Sequence, residues 1–236
     1  MSNIRLFHPE NIIENTTSLL SKEHTHYVAN VMRMKRGSNI SFFNKNGEWL
    51  SEIIFLEKDR VEVKFLNRIK DPLKLSSIEL AICLVKKNAM EIILQKATEL
   101  GVTKIIPILS ERSEVKELNY ERANKIVIEA TEQSNQLNPP IIMKVTKLKD
   151  LVNNLNDSTK LLFADVNCEE KLKPEYISNE NLNIILIGPE GDFSPLEREK
   201  ILAKNNTISF CLSKNILRTE TATISALTLI NYSLNL

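Results

Sequence analysis

Glycine is scarce in this chain: 236 residues carry only five, at positions 37, 47, 101, 188 and 191. None of them builds a G-x-G-x-x-G or a G-x-x-x-x-G-K-[ST] pattern, which excludes an ordinary dinucleotide fingerprint and a phosphate loop. Cysteine is scarce too. Cys83, Cys168 and Cys211 are odd in number and far apart, so neither a disulfide framework nor a zinc site is expected. Cys83 and Cys211 fall inside apolar, strand-like runs, where cysteine behaves as a small buried hydrophobe. No apolar run approaches the roughly 18–20 residues of a membrane span. The opening Met1-Ser2-Asn3-Ile4-Arg5 lacks the apolar core of a signal peptide. The expectation is therefore a cytoplasmic protein with no membrane association and no metal. An excess of one charge is also missing. A net charge of +1 neither requires nor excludes a nucleic-acid partner, because an RNA-binding enzyme can confine its basic residues to one patch.

What is present reads as one large domain or two modest ones, with the 42% hydrophobic and 26% charged content of an ordinary globular protein. The first 70 or so residues suggest a helix over 22–33, then strands over 39–44, 48–57 and 60–66. Lys45-Asn46-Gly47 is a hairpin signal, since Asn-Gly accepts the positive φ of a tight turn. Asp59 marks the next turn. Closely spaced strands with short turns predict a small antiparallel sheet or barrel. The polar stretch Arg68–Lys74 with Pro72 is the best boundary, giving domains 1–72 and 73–236.

Beyond it, strands and helices alternate. Strands are predicted at 78–85, 104–109, 160–164, 183–187 and 208–212. Helices are predicted at 89–100 (ended by Gly101), 120–136 (ended by Asn138-Pro139-Pro140), 195–203 and 219–234. This pattern predicts an α/β domain with a largely parallel sheet covered on both faces. There is no internal repeat.

Two of the five glycines stand three apart in Gly188-Pro189-Glu190-Gly191, directly after a predicted buried strand. Ligands of open α/β sheets bind beyond the carboxyl ends of strands, and glycine there permits positive φ and close approach of a flat ligand. A plain strand-to-helix turn is the alternative. Ser194-Pro195-Leu196-Glu197 is a capping box that fixes the next helix start behind this loop. A second strand-to-helix link runs from Leu212 to Ala222. In it Thr219 or Thr221 suits a helix cap and Glu220 suits the positive end of the dipole. Arg218, just ahead of that helix, can meet an anion or polar ligand edge, or pair structurally with Glu190 or Glu220. The cluster Arg33-Met34-Lys35-Arg36 is the densest basic run, either an RNA contact or a solvated turn.

G-P-E-G-x-F-S-x-x-E followed by I-L-R-T-E-T-A resembles the RsmE family of 16S rRNA uridine-N3 methyltransferases, of the SPOUT class. The resemblance covers most of the chain. It includes Lys87, Met90, Glu91, the run Gln95–Val102, Pro107, Ser110–Ser113, Glu129-Ala130 and Glu132–Ser134. In the N-terminal part His26, Val31, Met32, Arg33 and Gly37 fit H-x₄-V-[LM]-R-x₃-G. The resemblance implies a SPOUT-type α/β domain with a C-terminal trefoil knot, preceded by a PUA-like β-barrel, and a homodimer. It implies S-adenosylmethionine as methyl donor, held by Leu186, Gly188, Pro189, Glu190, Gly191, Leu212, Ile216, Leu217, Arg218, Thr219, Thr221 and Ala222. It makes the partner 16S rRNA of the small ribosomal subunit. Arg218 is then the candidate for stabilising charge on the uracil ring. Glu190 is the candidate base or a loop-holding residue, and Arg33, Lys35, Arg36 and Arg112 are backbone contacts to RNA. Three positions depart from the pattern. Asp192 replaces a second glycine, implying a tighter or differently shaped turn. Ser213 replaces a glycine, and Gln136 an arginine expected to face RNA. The alternatives are a SPOUT enzyme acting on a ribose hydroxyl or a tRNA base, a non-catalytic RNA-binding ribosome-assembly factor, and an unrelated doubly wound nucleotide enzyme.

Overall fold

The computed structural model describes residues 4–72, 78–177 and 181–234. The chain divides into two compact units, residues 1–74 with 131–138, and residues 75–130 with 139–236. The boundary expected after residue 72 abuts residues 73–77, which lie outside the described residues.

The first unit holds β1 (Arg5–Phe7), β2 (Thr17–Leu19), β3 (Asn39–Asn44), β4 (Gly47–Glu57) and β5 (Arg60–Lys70). They form one five-stranded sheet in the order β1-β3-β4-β5-β2, antiparallel except for β1 beside β3. Register shifts between β4 and β5, at Glu48–Ser51 and Ile53–Phe55, bend this long pair. Inside lie Leu6, Ile40, Phe42, Trp49, Ile53, Val61, Val63 and Phe65, all buried.

The helix expected over 22–33 is shorter. α1 (Lys22–His26), capped by the Ser21 side chain on the His24 amide at 3.1 Å, passes into a single wide π-turn over Tyr27–Val31. It has ended before Arg33, whose φ of 50° is left-handed. β5 runs to Lys70, so part of the expected polar linker is strand.

The hairpin between β3 and β4 also differs from expectation. Asn44 pairs with Gly47, so the two-residue turn is Lys45-Asn46, with the Asn44 side chain accepting from the Asn46 amide at 2.9 Å. Gly47 is instead the first residue of the return strand, at φ +135°, where a Cβ would be driven into the Lys70 carbonyl oxygen. Gly47→Ala is expected to lower stability by about 1–3 kcal/mol, read as a lower urea midpoint with an unchanged m-value.

Arg5 ties this unit together. Its guanidinium pairs with Glu48 at 3.1 Å, lies 4.4 Å from the Phe43 ring centre, and donates to the carbonyls of Glu132 and Gln136 at 2.9 and 3.0 Å. Gln136, read above as a lost RNA contact, thus takes part through its backbone. The Phe7 amide adds a bond to the Glu132 carboxylate at 2.9 Å.

The second unit contains β6 (Ile78–Cys83), α2 (Lys87–Glu99), β7 (Lys104–Leu109), most of α3 (Tyr120–Gln133), β8 (Ile141–Ile142), β9 (Thr146–Lys147) and α4 (Leu148–Asn153). β10 (Thr159–Ala164), β11 (Leu182–Ile187), α5 (Pro195–Leu202), β12 (Thr207–Phe210) and α6 (Thr219–Leu234) complete it. The sheet is wholly parallel in the order β12-β10-β11-β6-β7-β8, with β9 also on β7. The continuous apolar runs expected of doubly covered strands split by alternation. Leu80, Ile82, Ile185 and Ile187 face one core with residues of α2 and α6, while Ala81, Cys83, Ile184 and Leu186 face another with residues of α4 and α5.

Gly101, at φ +78°, follows the end of α2 as expected. The capping box at α5 is formed in both directions, Glu197 amide to Ser194 Oγ at 3.2 Å and Ser194 amide to Glu197 carboxylate at 3.0 Å. α3 stops at Gln133 rather than 136, because Asn135 at φ 60° turns the chain left-handed before the prolines are reached. β12 ends at Phe210 rather than 212, since Cys211 pairs instead with Lys171.

Candidate functional site

All strands of the second sheet point the same way, so the links leaving β7, β10, β11 and β12 emerge along one edge. The link after β11 is Gly188–Phe193. Asp192 donates its amide to the Pro189 carbonyl at 3.0 Å, closing a turn. The glycines were expected to supply positive φ here, and they do not: the left-handed residue is Asp192, at φ 58°. Aspartate tolerates that region because its short side chain bonds locally. Its Oδ1 accepts from the Phe193 amide at 2.7 Å. The departure from glycine at 192 therefore leaves an ordinary turn. Gly188 serves a different need, since a Cβ there would stand 3.2 Å from the buried Phe193 ring. At Gly191 a Cβ would meet nothing nearer than Arg112 Cβ at 4.0 Å, so this side of the loop is open.

The second link, Cys211–Arg218, meets the first through Thr219, whose hydroxyl reaches the Gly188 carbonyl at 3.5 Å. Thr219 is thus the first helical residue and not the cap expected of it; Arg218 holds the cap position, its carbonyl accepting from the Ala222 amide at 2.8 Å. Among the described residues no side chain caps the first amides of α6, which leaves donors open at the positive end of a 16-residue helix. Ser213 forms a local turn, its hydroxyl accepting from the Asn215 amide at 3.0 Å. Ile216 is 91% exposed, an uncovered apolar side chain beside the half-buried Leu217.

Arg218 is exposed, and the structural pairs open to it with Glu190 or Glu220 are not formed. The Glu190 side chain is likewise exposed and takes no hydrogen bond among the described residues. Leu186 is wholly buried, so it can offer a ligand only its backbone. Pro189 is buried, Leu212 and Ala222 are half-buried, and Thr221 is exposed. Arg112 donates to the Gly191 carbonyl at 2.8 Å and so pins the loop from the link after β7. In the other unit, Arg33, Lys35 and Arg36 are exposed on one turn and form no ion pair among the described residues.

One cluster was not foreseen. Asp165, directly after β10, is a fully buried carboxylate that accepts from Arg198 Nε and Nη2 at 2.9 and 2.7 Å, from Ser209 Oγ at 3.1 Å and from the Asn167 amide at 2.9 Å. An acid at the carboxyl end of an expected strand was the available signal. Its partners Arg198 and Ser209 lie 33 and 44 residues away and were not. Burial alone would raise its pKa, but the bonds from Arg198, Asn167 and Ser209 outweigh it and hold the carboxyl below its usual 3.8. A depressed folded-state value contributes stability that is complete above the unfolded value and lost as pH falls through the folded one. The difference in Tm between the unsubstituted protein and Asp165→Asn is therefore expected to be widest above about pH 4 and to shrink on acidification. Cys83 is another shifted group here, an inert thiol pushed up to about 12 by burial.

Among the described residues no helix is long and apolar enough to cross a membrane, and no group of His, Cys, Asp or Glu is placed to hold a metal ion.

Residues 71–231 match the RNA methyltransferase domain family, and residues 20–66 match the RNA methyltransferase PUA domain. The chain is 36% identical over 229 residues to the ribosomal RNA small subunit methyltransferase E of Rickettsia conorii, covering 94% of this chain and 93% of that protein. It is 32% identical to the protein of the same name from Bacillus subtilis, covering 96% and 94%. Among solved structures, the methyltransferase E of Neisseria gonorrhoeae bound to S-adenosylmethionine superposes with a TM-score of 0.87 at 27% identity, over 98% of both chains. A Legionella pneumophila methyltransferase solved with bound S-adenosylmethionine gives 0.87 at 26%, over 99% and 98%. With its PUA domain ahead of a parallel α/β domain, the chain belongs to the ribosomal RNA small subunit methyltransferase E family of RNA methyltransferases.

Proposed function

We propose that this protein transfers a methyl group from S-adenosylmethionine to N3 of one uridine in 16S rRNA of the small ribosomal subunit. The observation that carries this is the meeting of two links at one sheet edge. There Gly188 underlies Thr219, and among the described residues the first amides of α6 are open and the Arg218 side chain stands unpaired beside them. These features suit a flat, polar donor contacted largely through backbone groups, with Ile216 available as an apolar cover. The residues assigned to hold it are Leu186, Gly188–Gly191, Leu212, Ile216–Thr219, Thr221 and Ala222. When bound, the donor supplies an intrinsically electrophilic methyl.

The rest of the task falls to the protein. N3 lies on the Watson–Crick edge, so the uridine must be unpaired or turned out of its helix. The N3 proton must leave, and the negative charge spreads onto the ring carbonyls. Arg218, always charged and presenting a fixed fork of donors, is assigned to stabilise that charge. Glu190 is assigned as base, directly or through water, its carboxylate being exposed and without a hydrogen bond among the described residues. Arg33, Lys35 and Arg36 in the N-terminal domain, with Arg112 in the other, are assigned to the RNA backbone.

The reading includes residues 1–72 as a PUA-like barrel that binds RNA and 73–236 as the methyltransferase domain. It also includes a C-terminal trefoil knot, a homodimer and a cytoplasmic location. Incubation with labelled donor and unmodified small-subunit particles, followed by mapping of the methylated nucleotide, tests it. Label on N3 of a single uridine supports the proposal, and label on a ribose, or no label on the particles but label on tRNA offered in a parallel incubation, overturns it.

A further inference from the structure

We infer that Asn167, anchored by Asp165 and Arg198, is a positioning residue for the methyl donor, holding the Gly188–Asp192 loop in its binding shape; the inference rests on the donor-site reading above. Asp165 is withdrawn from solvent. Its Oδ2 gathers Arg198 from α5 and Ser209 from β12, while its Oδ1 fixes the Asn167 backbone. The Asn167 side chain then leaves that cluster. Its Nδ2 lies 3.5 Å from Asp165 Oδ1 and donates at 3.1 Å to Asp192 Oδ2.

Asp192 is the one non-glycine residue of the loop in the left-handed region, a conformation that needs support to persist. Its two carboxylate oxygens divide the work, Oδ1 on the following amide and Oδ2 on Asn167. The amide held by Oδ1 belongs to Phe193, whose ring lies against Gly188. Arg112 holds Gly191 from the opposite link. The loop is thus pinned at two adjacent residues from the ends of two other strands, β7 and β10, and the Asn167 pin runs back to the buried carboxylate of Asp165.

Removal of the Asn167 pin should weaken donor binding and leave the chemical step alone. Asn167→Ala is expected to raise the donor Kd by calorimetry, and the donor KM on small-subunit particles, by roughly three- to tenfold. At saturating donor, kcat and the KM for particles should stay within about twofold. Asp192→Gly keeps the left-handed backbone while deleting both side-chain bonds. If Asn167 acts through Asp192, adding Asn167→Ala to Asp192→Gly produces no further loss, a coupling that a general loosening of the fold would not show. Asp165→Asn should reproduce the Asn167→Ala effect on donor KM; should it fail to fold, the Asn167 and Asp192 cycle decides alone. An unsubstituted protein that binds no donor overturns the donor-site reading and this inference together. Donor binding that survives Asn167→Ala unchanged, or additive losses in the double variant, overturns this inference only.

Discussion

Arg218→Ala is expected to lower methylation of small-subunit particles by about 10²–10³-fold at saturating donor, with donor affinity nearly unchanged because Arg218 is assigned to the donor only through its backbone. The size follows from what the side chain does not do. The Arg218 side chain makes no ion pair and no hydrogen bond among the described residues, so its removal costs the fold little. It stands at the cap position of α6, where the open amides already favour negative charge. A guanidinium fixed there is placed to meet charge that appears only as N3 loses its proton, and an interaction made only in the transition state shows in kcat. Arg218→Lys retains the charge but not the planar fork, and should fall between the two. Normal donor and RNA binding with full-rate methylation in Arg218→Ala would remove Arg218 from the chemistry.

The second large effect is on stability and lies in the other unit. Arg5→Ala should cost about 3–5 kcal/mol, a large fraction of the 5–15 kcal/mol available to a typical domain. The loss comes mainly from what is left behind. Glu48, 7% exposed, keeps its charge without its partner, and the carbonyls of Glu132 and Gln136 lose their donor. Trp49, the only tryptophan, is buried beside Glu48 and reports the unfolding of this unit by fluorescence. Replacing both partners, as in Arg5→Met with Glu48→Leu, should recover part of the loss by removing the stranded charge. It should not recover all, since the two carbonyls remain without that donor. A midpoint for Arg5→Ala within about 0.5 kcal/mol of the unsubstituted protein would show that water replaces the guanidinium at little cost.

Legibility in the sequence followed the range of the forces involved. β6 and β11 could be read because continuous apolar runs admit few other structures, and α5 because its cap is built from four consecutive residues. The strands β1, β2, β8 and β9, of two or three residues each, are too short to show alternation and exist through their partners. The same limit explains the errors at glycine. Gly47 was assigned to a turn because Asn-Gly is a local signal, whereas the constraint on it comes from Lys70, 23 residues further on. Gly188 and Gly191 were credited with positive φ that belongs to Asp192, since what restricts Gly188 is a ring five residues later. At the candidate site, the two links were legible as motifs, but not the network of Asp165, Asn167 and Arg198, which joins segments distant in the chain.

Aspartate at 192 has a consequence for the energetics of ligand capture. A glycine at that point would roam freely on both sides of the φ map in the unfolded chain and in any open form of the loop, and confining it would cost more entropy. Aspartate has fewer conformations to surrender, and it holds its own following amide once in place. The loop is thus preorganised before any ligand arrives, and less of the binding free energy is consumed in ordering it.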